Sequence, residues 1–196
     1  VEADESIEWF EKEKYYVAKG NVILKKNGLT LRANYVKAIY LDENGENVLT
    51  KITAKKDVFL SKGKAKASGE FMTYDLKTKI VVMTGQFQTF SSPSGYIESK
   101  KMIKFDDFNN KAEASGEVKI ILPNKTKIFG NNVKANFTGK DKSLTNATVK
   151  GNVIIVNTKK GQKSKADLGI YNSSDSIIKL SGNVIIINKQ STFRGS

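Results

Sequence analysis

The chain has 196 residues, of which 39% are hydrophobic and 27% are charged, and its formal net charge is +13. It contains no cysteine and no histidine. These absences exclude a disulfide framework and thiol chemistry, and they remove the commonest general base and the usual zinc ligand. No apolar run approaches the ~20 residues of a membrane-spanning helix. Ile, Val, Thr, Phe and Tyr dominate the apolar residues, which favours strands over helices.

The predicted strands share a phrase that recurs along the chain. Residues 18–24 read Ala-Lys-Gly-Asn-Val-Ile-Leu, and similar segments follow. The glycine position of the six copies is held by Gly20, Lys56, Gly85, Gly116, Gly151 and Gly182, at steps of 36, 29, 31, 35 and 31 residues. Self-similarity at such a period is typical of stacked repeat architectures.

Alternation along each copy predicts one apolar face. Tyr16, Ala18, Val22 and Leu24 share the parity of Gly20, and side chains of equal parity lie on one face of a strand. The later copies follow the same pattern. We therefore expect the glycine to lie on the apolar face in mid-strand, where it marks a bend or a bulge. Six strands bent at equivalent points predict a curved sheet with a concave apolar side.

A second type of strand lies between the glycine strands. Residues 29–36 and 126–133 are examples, and short polar turns such as 26–28 and 160–161 join them to the glycine strands. Each repeat thus holds about two strands, and no Ser-, Gly- or Pro-rich linker interrupts them. The sequence predicts one continuous repeat domain over residues 1–196, with about six two-strand repeats. It ends early in the sixth repeat, so we expect the natural chain to run further.

Four further features of the sequence bear on its fold and surface. Residues 4–14 have some helical spacing, although residues 6–10 also suit a first strand. The aromatic residues at 9, 10, 15 and 16 are expected either to cap the sheet or to line the first mouth of its concave side. Asp106 and Asp107 precede two asparagines and indicate a turn, not a catalytic pair. The positive charge is concentrated in residues 99–196, which hold 18 Lys and Arg against 7 Asp and Glu.

These motifs resemble the OstA-like family of lipopolysaccharide-transport proteins. The resemblance is carried by A-x-G-N-V at residues 18–22, L-x-A-x-x-V at 31–36, Ile-Thr-Ala at 52–54 and Tyr-Asp at 74–75. It implies an all-β fold: a single elongated β-jellyroll, or β-taco, of stacked and mostly antiparallel strands. It also implies an apolar interior groove, open at both ends, that holds lipid A acyl chains.

The resemblance further implies a non-enzymatic function without a cofactor, a metal or catalytic residues. The protein would carry lipopolysaccharide across the periplasm and bridge inner- to outer-membrane transport components. Its expected partners are lipopolysaccharide and the related jellyroll domains of LptC-like inner-membrane and LptD-like outer-membrane components, with head-to-tail self-association and no nucleic acid. Since the chain starts at Val1, we expect that a signal segment or anchor was removed upstream.

Twelve inner-face residues are expected to contact lipid. They are Val22, Leu24, Leu31, Tyr35, Val58, Leu60, Val118, Ile120, Val153, Ile155, Val184 and Ile186. A sealed core would show the same pattern, so the residues alone leave open whether they line a groove or fill a core. Lys56 stands where the other copies have glycine; it indicates either a bulge or a rim lysine that meets a phosphate.

Three other functions compete with lipid transport. A scaffold with a sealed β core would act through its ends. A carbohydrate-active β-solenoid enzyme would need a repeated cluster of Lys or Arg with carboxylates, and none recurs. A basic nucleic-acid-binding protein would interleave aromatic and basic residues on one surface, which this chain does not.

Overall fold

A computed structural model describes residues 1–139, 142–188 and 191–195, so that Ser196, the end of the expected domain, lies outside the described residues. The described residues form strands joined by turns and contain no helix. The strands are β1 (Ser6–Phe10), β2 (Tyr15–Lys26), β3 (Leu29–Glu43), β4 (Glu46–Lys62), β5 (Ala65–Asp75), β6 (Ile80–Thr84), β7 (Gln88–Ser92), β8 (Gly95–Ser99), β9 (Met102–Asp106), β10 (Lys111–Ile121), β11 (Lys127–Thr138), β12 (Ser143–Asn157), β13 (Gln162–Asn172), β14 (Ile177–Ser181), β15 (Val184–Ile187) and β16 (Thr192–Gly195). The prediction of an all-β fold is confirmed, and residues 6–10 form a strand.

These strands make one 16-stranded sheet in which neighbours along the chain mostly pair with each other. Every pairing between the described strands is antiparallel. In the middle of the sheet, β5, β6, β9, β10, β8 and β7 close a ring of pairings. In this ring β5 pairs with the short strands β6 and β7, and β10 pairs with the short strands β8 and β9. The ring therefore encloses a gap between the short strands.

The repeated phrase forms β-bulges in the long strands. In β2 the pairing with β3 shifts between Lys19 and Val22, and in β10 the pairing with β11 shifts between Ser115 and Val118. Equivalent shifts occur in β4 and β12. Both residues of each bulge have positive φ, as Gly20 (78°) and Asn21 (42°) show. Such a conformation suits glycine and asparagine, and this explains the repeated sequence.

The expected orientation of the glycine is wrong. A Cβ added to Gly116 would lie 2.5 Å from Cβ of Lys101, which is exposed. A Cβ on Gly20 would likewise lie 2.6 Å from Cγ of Glu5, also an exposed residue. The glycines therefore face the outer surface, because the two successive left-handed residues interrupt the alternation locally; Ala18 and Val22, on either side of the bulge in β2, both face inward. At Gly85 and Gly182 the strand breaks completely, which separates β6 from β7 and β14 from β15.

The bulges and breaks divide the sheet into two arms. The first arm ends at a row of turns that we call the first lip, formed by β2–β3, β4–β5, β7–β8, β10–β11 and β12–β13. The second arm ends at the second lip, formed by the turns β1–β2, β3–β4, β5–β6, β9–β10, β11–β12 and β13–β14. Residues far apart in sequence meet across the lips: Ser94 on the first lip donates to the backbone oxygen of Lys142 on the second, 3.0 Å away. The sheet is therefore folded over itself.

Apolar side chains fill the inner side in separate clusters. One cluster belongs to β2–β6 and includes Val22, Leu31 and Val58. A second belongs to β7–β13 and includes Val118 and Val153. A third, smaller cluster consists of Ala112, Ala135, Phe137 and Ala147. The expected concave apolar side is thus present, and each half of the chain fills its own part of it.

The aromatic residues near the amino terminus pack along the outer end of the sheet. Trp9 stacks on Tyr16 with ring centroids 6.1 Å apart, and its Nε1 donates to the hydroxyl of Tyr40 at 2.7 Å. Phe10 stacks on Tyr15 at 4.5 Å. These contacts agree with the expected capping role, since the aromatic rings pack over the end of the sheet formed by β1, β2 and β3.

Candidate functional site

A cavity of about 690 Å³ lies between the two arms, and it opens at the lips. On the first arm it is bounded by Leu60, Ala65 and Ala67, and on the second by Tyr74 and Val81. Alternation in β4, β5 and β6 turns these side chains inward. Ala65 and Ala67 are the reason for the empty volume, because two methyl groups stand where larger side chains would reach the opposite arm.

Aromatic rings close the cavity towards the second half of the chain. Phe90 of β7 stacks on Phe105 of β9, with centroids 5.7 Å apart, and meets Phe137 of β11 edge-on at 6.4 Å. Phe90 belongs to the first arm and its two partners to the second. Two small cavities, of about 20 Å³ and about 10 Å³, lie against and beyond these rings. The arms are therefore in contact in this half and separated in the other.

The mouth of the cavity carries a cationic rim. Lys62, Lys64, Lys66 and Lys142 border it, with Asp107 the one carboxylate among the described lining residues. Asp107 lies between two of the lysines: its Oδ2 is 3.2 Å from Nζ of Lys62 and its Oδ1 is 2.6 Å from Nζ of Lys142. Lys62 belongs to the first lip and Asp107 to the second. This ion-paired group, which we call the clasp, therefore connects the lips.

The environment of the mouth shifts two pKa values. For Asp107, partial burial acts to raise the pKa, but hydrogen bonds from Lys142 and Lys62 outweigh it and hold the pKa below its ordinary value. For Tyr74, burial raises the pKa of the phenol; the charge of Lys62 opposes this and that of Asp107 adds to it. Asp107 therefore stays ionised at neutral pH while Tyr74 stays neutral.

Most of the twelve predicted contact residues lie on the inner side. Val22, Leu24, Leu31, Val58, Val118, Ile120, Val153 and Ile155 are buried, whereas Leu60, Val184 and Ile186 are half-buried. Of the twelve, Leu60 lines the large cavity and Ile120 lines the second, much smaller one. The structure thus brings Leu60 together with residues that were not predicted, whereas the eight buried residues belong to the packed clusters.

Tyr35 is not on the inner face. It pairs with Lys19 and Lys55, and Nζ of Lys55 lies 5.5 Å from its ring centroid. β3 pairs with β2 and β4, and both of these strands bulge opposite Tyr35. Ala33 and Val36 are therefore both buried although they are three residues apart, so the alternation of β3 shifts by one residue between them. Simple alternation across that point therefore assigned Tyr35 to the wrong face.

Lys56 forms a bulge, as one of its two interpretations predicted. Its φ is 61° and that of Asp57 is 53°, and the pairing shifts between Lys55 and Val58. Lys56 is exposed and does not line the large cavity. An exposed outer-face lysine keeps its hydration, so the expected burial penalty at this position does not arise.

Sequence reasoning missed two polar residues of the interior and the mouth. Gln88 is fully buried, and neither atom of its amide has a hydrogen-bond partner within the described part of the chain. Asp107 was read as a turn residue, and it does begin the β9–β10 turn, but its pairing with Lys62 links residues 45 positions apart. No local pattern signals such a contact. The phenylalanines at 90, 105 and 137 could have been found, since they alternate in phase with the inner residues of their strands.

The described residues hold no cluster of three or more His, Cys, Asp or Glu that could bind a metal ion. Within the same residues, no helix long and apolar enough to span a bilayer was found.

Fold and site define a class: an antiparallel β protein whose folded sheet encloses an apolar cavity beneath a lysine-bearing mouth. Two stretches of the chain, residues 1–104 and 96–196, match the family model described as LptA/(LptD N-terminal domain) LPS transport protein. The matches together span the chain, so the protein belongs to this family, whose members are lipopolysaccharide-transport components. The resemblance of the repeats to OstA-like proteins near the periplasmic bridge component LptA is confirmed.

Among solved structures, the chain is similar to LptH from Pseudomonas aeruginosa, titled the LptA homologous periplasmic component of the conserved lipopolysaccharide transport device. The two sequences are 12% identical over 96% of this chain and 92% of that chain, with a TM-score of 0.27. The description of the fold therefore rests on the strand pairings given above. The comparison with curated proteins gives no match.

Proposed function

We propose that this protein is a periplasmic, non-enzymatic carrier of lipopolysaccharide that holds lipid A acyl chains between the two arms of its sheet. The observation that carries the proposal is the apolar cavity of about 690 Å³ beneath a rim of four lysines. This volume lies within the ~300–1,000 Å³ of ordinary ligand pockets. An amphipathic anion fits both parts, because its chains are apolar and its phosphates meet lysines.

The energetics favour an acyl chain as the buried part of the ligand. Each methylene transferred from water to an apolar site contributes about 0.8 kcal/mol, so a chain of ordinary length outweighs the ordering cost of binding. Leu60, Ala67 and Val81 would supply the apolar walls. Ile120 and Ile155 belong to the half in which the arms touch, so we expect them to pack in the core of this state of the protein and not to contact the lipid.

The rim would meet the headgroup. Charge-assisted hydrogen bonds between lysine and phosphate are stronger than neutral ones. Lys62, Lys64 and Lys142 border the mouth, so they take the role that the sequence suggested for Lys56.

The ends of the sheet support the proposed bridge. Among the described strands, β1 pairs with β2 alone and β16 with β15 alone. An unpaired edge is a template for strand addition by another chain. Residues 1–196 would act as one continuous jellyroll unit, open at both ends, that joins related LptC-like and LptD-like domains, or copies of itself, head to tail.

The test is site-specific photo-crosslinking to lipopolysaccharide in the purified protein. A photoreactive residue would replace Leu60 or Val81 inside the cavity, with the chain neighbours Phe59 and Val82 as matched outer-face controls. We expect lipid adducts at the two inner positions and few at the controls. No inner adducts, or equal adducts at all four positions, would contradict the proposal.

A second candidate is a scaffold with a sealed core. The packed half of the molecule favours it, because the arms touch at Phe90 and the cavities described there hold about 20 and about 10 Å³. If the protein were a scaffold throughout, the same crosslinking experiment would give no adduct inside, and function would lie in the terminal strands.

A further inference from the structure

The clasp joins the lips where lipid would have to pass. Nζ of Lys62, at the end of β4, is 3.2 Å from Asp107 in the β9–β10 turn. Both residues line the mouth of the large cavity. With the clasp closed, the first and second lips are therefore held together directly above the apolar volume.

The two lysines of the clasp are held very differently. Lys142 is fixed: its side chain is 18% exposed, its Nζ also donates to Oδ1 of Asn110, and it lies 5.2 Å from the ring centroid of Phe105. The side chain of Lys62 is 60% exposed, and Asp107 is its one ion-pair partner among the described residues. A single exposed pair contributes little to stability. The contact across the lips is therefore the weak part of the clasp.

Asp107 occupies the position that an anionic ligand would take. Its carboxylate presents two oxygens to two ammonium groups that belong to opposite lips. A phosphate offers three oxygens and up to two negative charges, so it can replace the carboxylate at Lys62 from outside while Asp107 keeps its pair with Lys142 on the same lip. Lys64 and Lys66 stand exposed on the same mouth and would add to the attraction.

Resting on the proposed function, we propose that the clasp is a latch released by the phosphate of the lipid headgroup. The phosphate binds Lys62 together with its first-lip neighbours Lys64 and Lys66 and displaces Asp107, which stays paired with Lys142 on the second lip. The lips then separate, and the acyl chains enter the cavity laterally between them. The phosphorylated headgroup would thus act as the signal that admits its own acyl chains.

The experiment measures the distance between the lips. Because the chain contains no cysteine, Lys26→Cys on the first lip and Phe108→Cys on the second can carry spin labels without other thiols. Pulsed electron resonance would then give the label distance without ligand, with lipid A, with lipid A stripped of its phosphates, and with inorganic phosphate. Lipid binding would be measured in parallel on the same samples.

We expect lipid A to lengthen the distance, and the stripped lipid to bind more weakly without lengthening it. Asp107→Asn should show the long distance before any lipid is added, and Lys62→Gln should behave in the same way. The matched control is Asp42→Asn, a turn carboxylate on the same lip that accepts from the amide of Gly45. It should match the parent protein.

Three outcomes would overturn the latch while leaving lipid carriage intact. These are binding without any change of distance, equal lengthening by both lipids, and an unchanged distance in Asp107→Asn. Lengthening by inorganic phosphate alone to the same extent would overturn the lipid headgroup as the ligand. Absence of binding by either lipid would contradict the proposed function, and the latch would fail with it.

Discussion

The two halves of the molecule are built from the same repeated phrase, yet their interiors differ. In β2–β6 the arms stand apart around a cavity of about 690 Å³, whereas beyond Phe90 they touch and leave about 20 Å³. The bulges at Gly20 and Gly151 have nearly the same backbone, with φ of 78° and 77°. The difference therefore comes from the inner side chains: Ala65 and Ala67 stop short of the opposite arm, whereas Phe90 reaches it. Bulges set how the sheet folds, and side-chain volume sets what it encloses.

Removing the aromatic ring of Phe90 should make the interiors of the two halves more alike. Phe90→Ala deletes the contacts with Phe105 and Phe137 and would extend the cavity into the closed half. Truncating a buried phenylalanine costs about 3–5 kcal/mol, so we expect a loss of that size in the free energy of unfolding, measured by denaturant titration. Phe108→Ala is the control; this side chain is 75% exposed, and its loss should change stability by less than about 0.5 kcal/mol. Equal effects would contradict the account.

Adding volume should affect the two halves in opposite ways. Ala147 is buried at 3% exposure in the closed half, so Ala147→Phe should cost about 1–3 kcal/mol or more through overpacking. Ala67 borders the cavity, so Ala67→Phe has space and should leave stability nearly unchanged while it lowers lipid binding. Thermal unfolding and a lipid-binding assay on both variants check this. The reverse order of stabilities would contradict the assigned position of the cavity.

Gln88, at the start of β7 where the two halves meet, is expected to destabilise the protein. Both amide atoms of Gln88 are buried without a hydrogen-bond partner among the described residues, and an unsatisfied buried polar group costs about 1–3 kcal/mol. Gln88→Met keeps the length of the side chain and removes the amide. We expect the free energy of unfolding to rise by about 1 kcal/mol, against no change for the exposed control Gln86→Met. A loss of stability would show that the amide is satisfied.

The smallest expected stability effect concerns the one repeat without a glycine. Lys56 has a φ of 61°, and the left-handed conformation costs a non-glycine residue about 1–2 kcal/mol. Part of this is offset by the greater freedom of glycine in the unfolded chain. Lys56→Gly should therefore stabilise the protein by about 0.5–1 kcal/mol in chemical denaturation. The reciprocal Gly116→Lys should destabilise it, because the new Cβ would lie 2.5 Å from Lys101.

The clasp should make the distance between the lips depend on pH. The folded pKa of Asp107 lies below the ordinary 3.8, so its contribution is present above that pH and is lost as the pH falls through the lowered folded value. Asp107 faces Lys62, Lys142 and the phenol of Tyr74. Lip distances measured between pH 6 and pH 2 should therefore lengthen in the parent protein only at the acid end. In Asp107→Asn the same distances should not change with pH.

The repeats predicted much of the fold because bulges and alternation are local. The strands followed from residues 18–24 and their copies, and the bulge was one of the two interpretations of Lys56. The family resemblance also drew on the motifs at residues 31–36, 52–54 and 74–75. The face of Tyr35 did not follow, because bulges on the neighbouring strands change the parity of β3. The clasp could not be predicted either, since Lys62 and Asp107 come together only when the sheet folds. The contrast between Ala67 and Phe90 was visible in the sequence, but nothing local shows that these residues end two different regions of one interior.

The most direct test uses lipid A that carries a spin label on an acyl chain. The label broadens the amide resonances of nearby residues, so nuclear magnetic resonance of the labelled complex would locate the chain. The account predicts broadening at Ala65, Ala67 and Val81, with Ala135 and Ala147 unaffected. Equal broadening in both halves, or broadening confined to the second, would contradict the claim that the cavity between β3 and β9 holds the lipid.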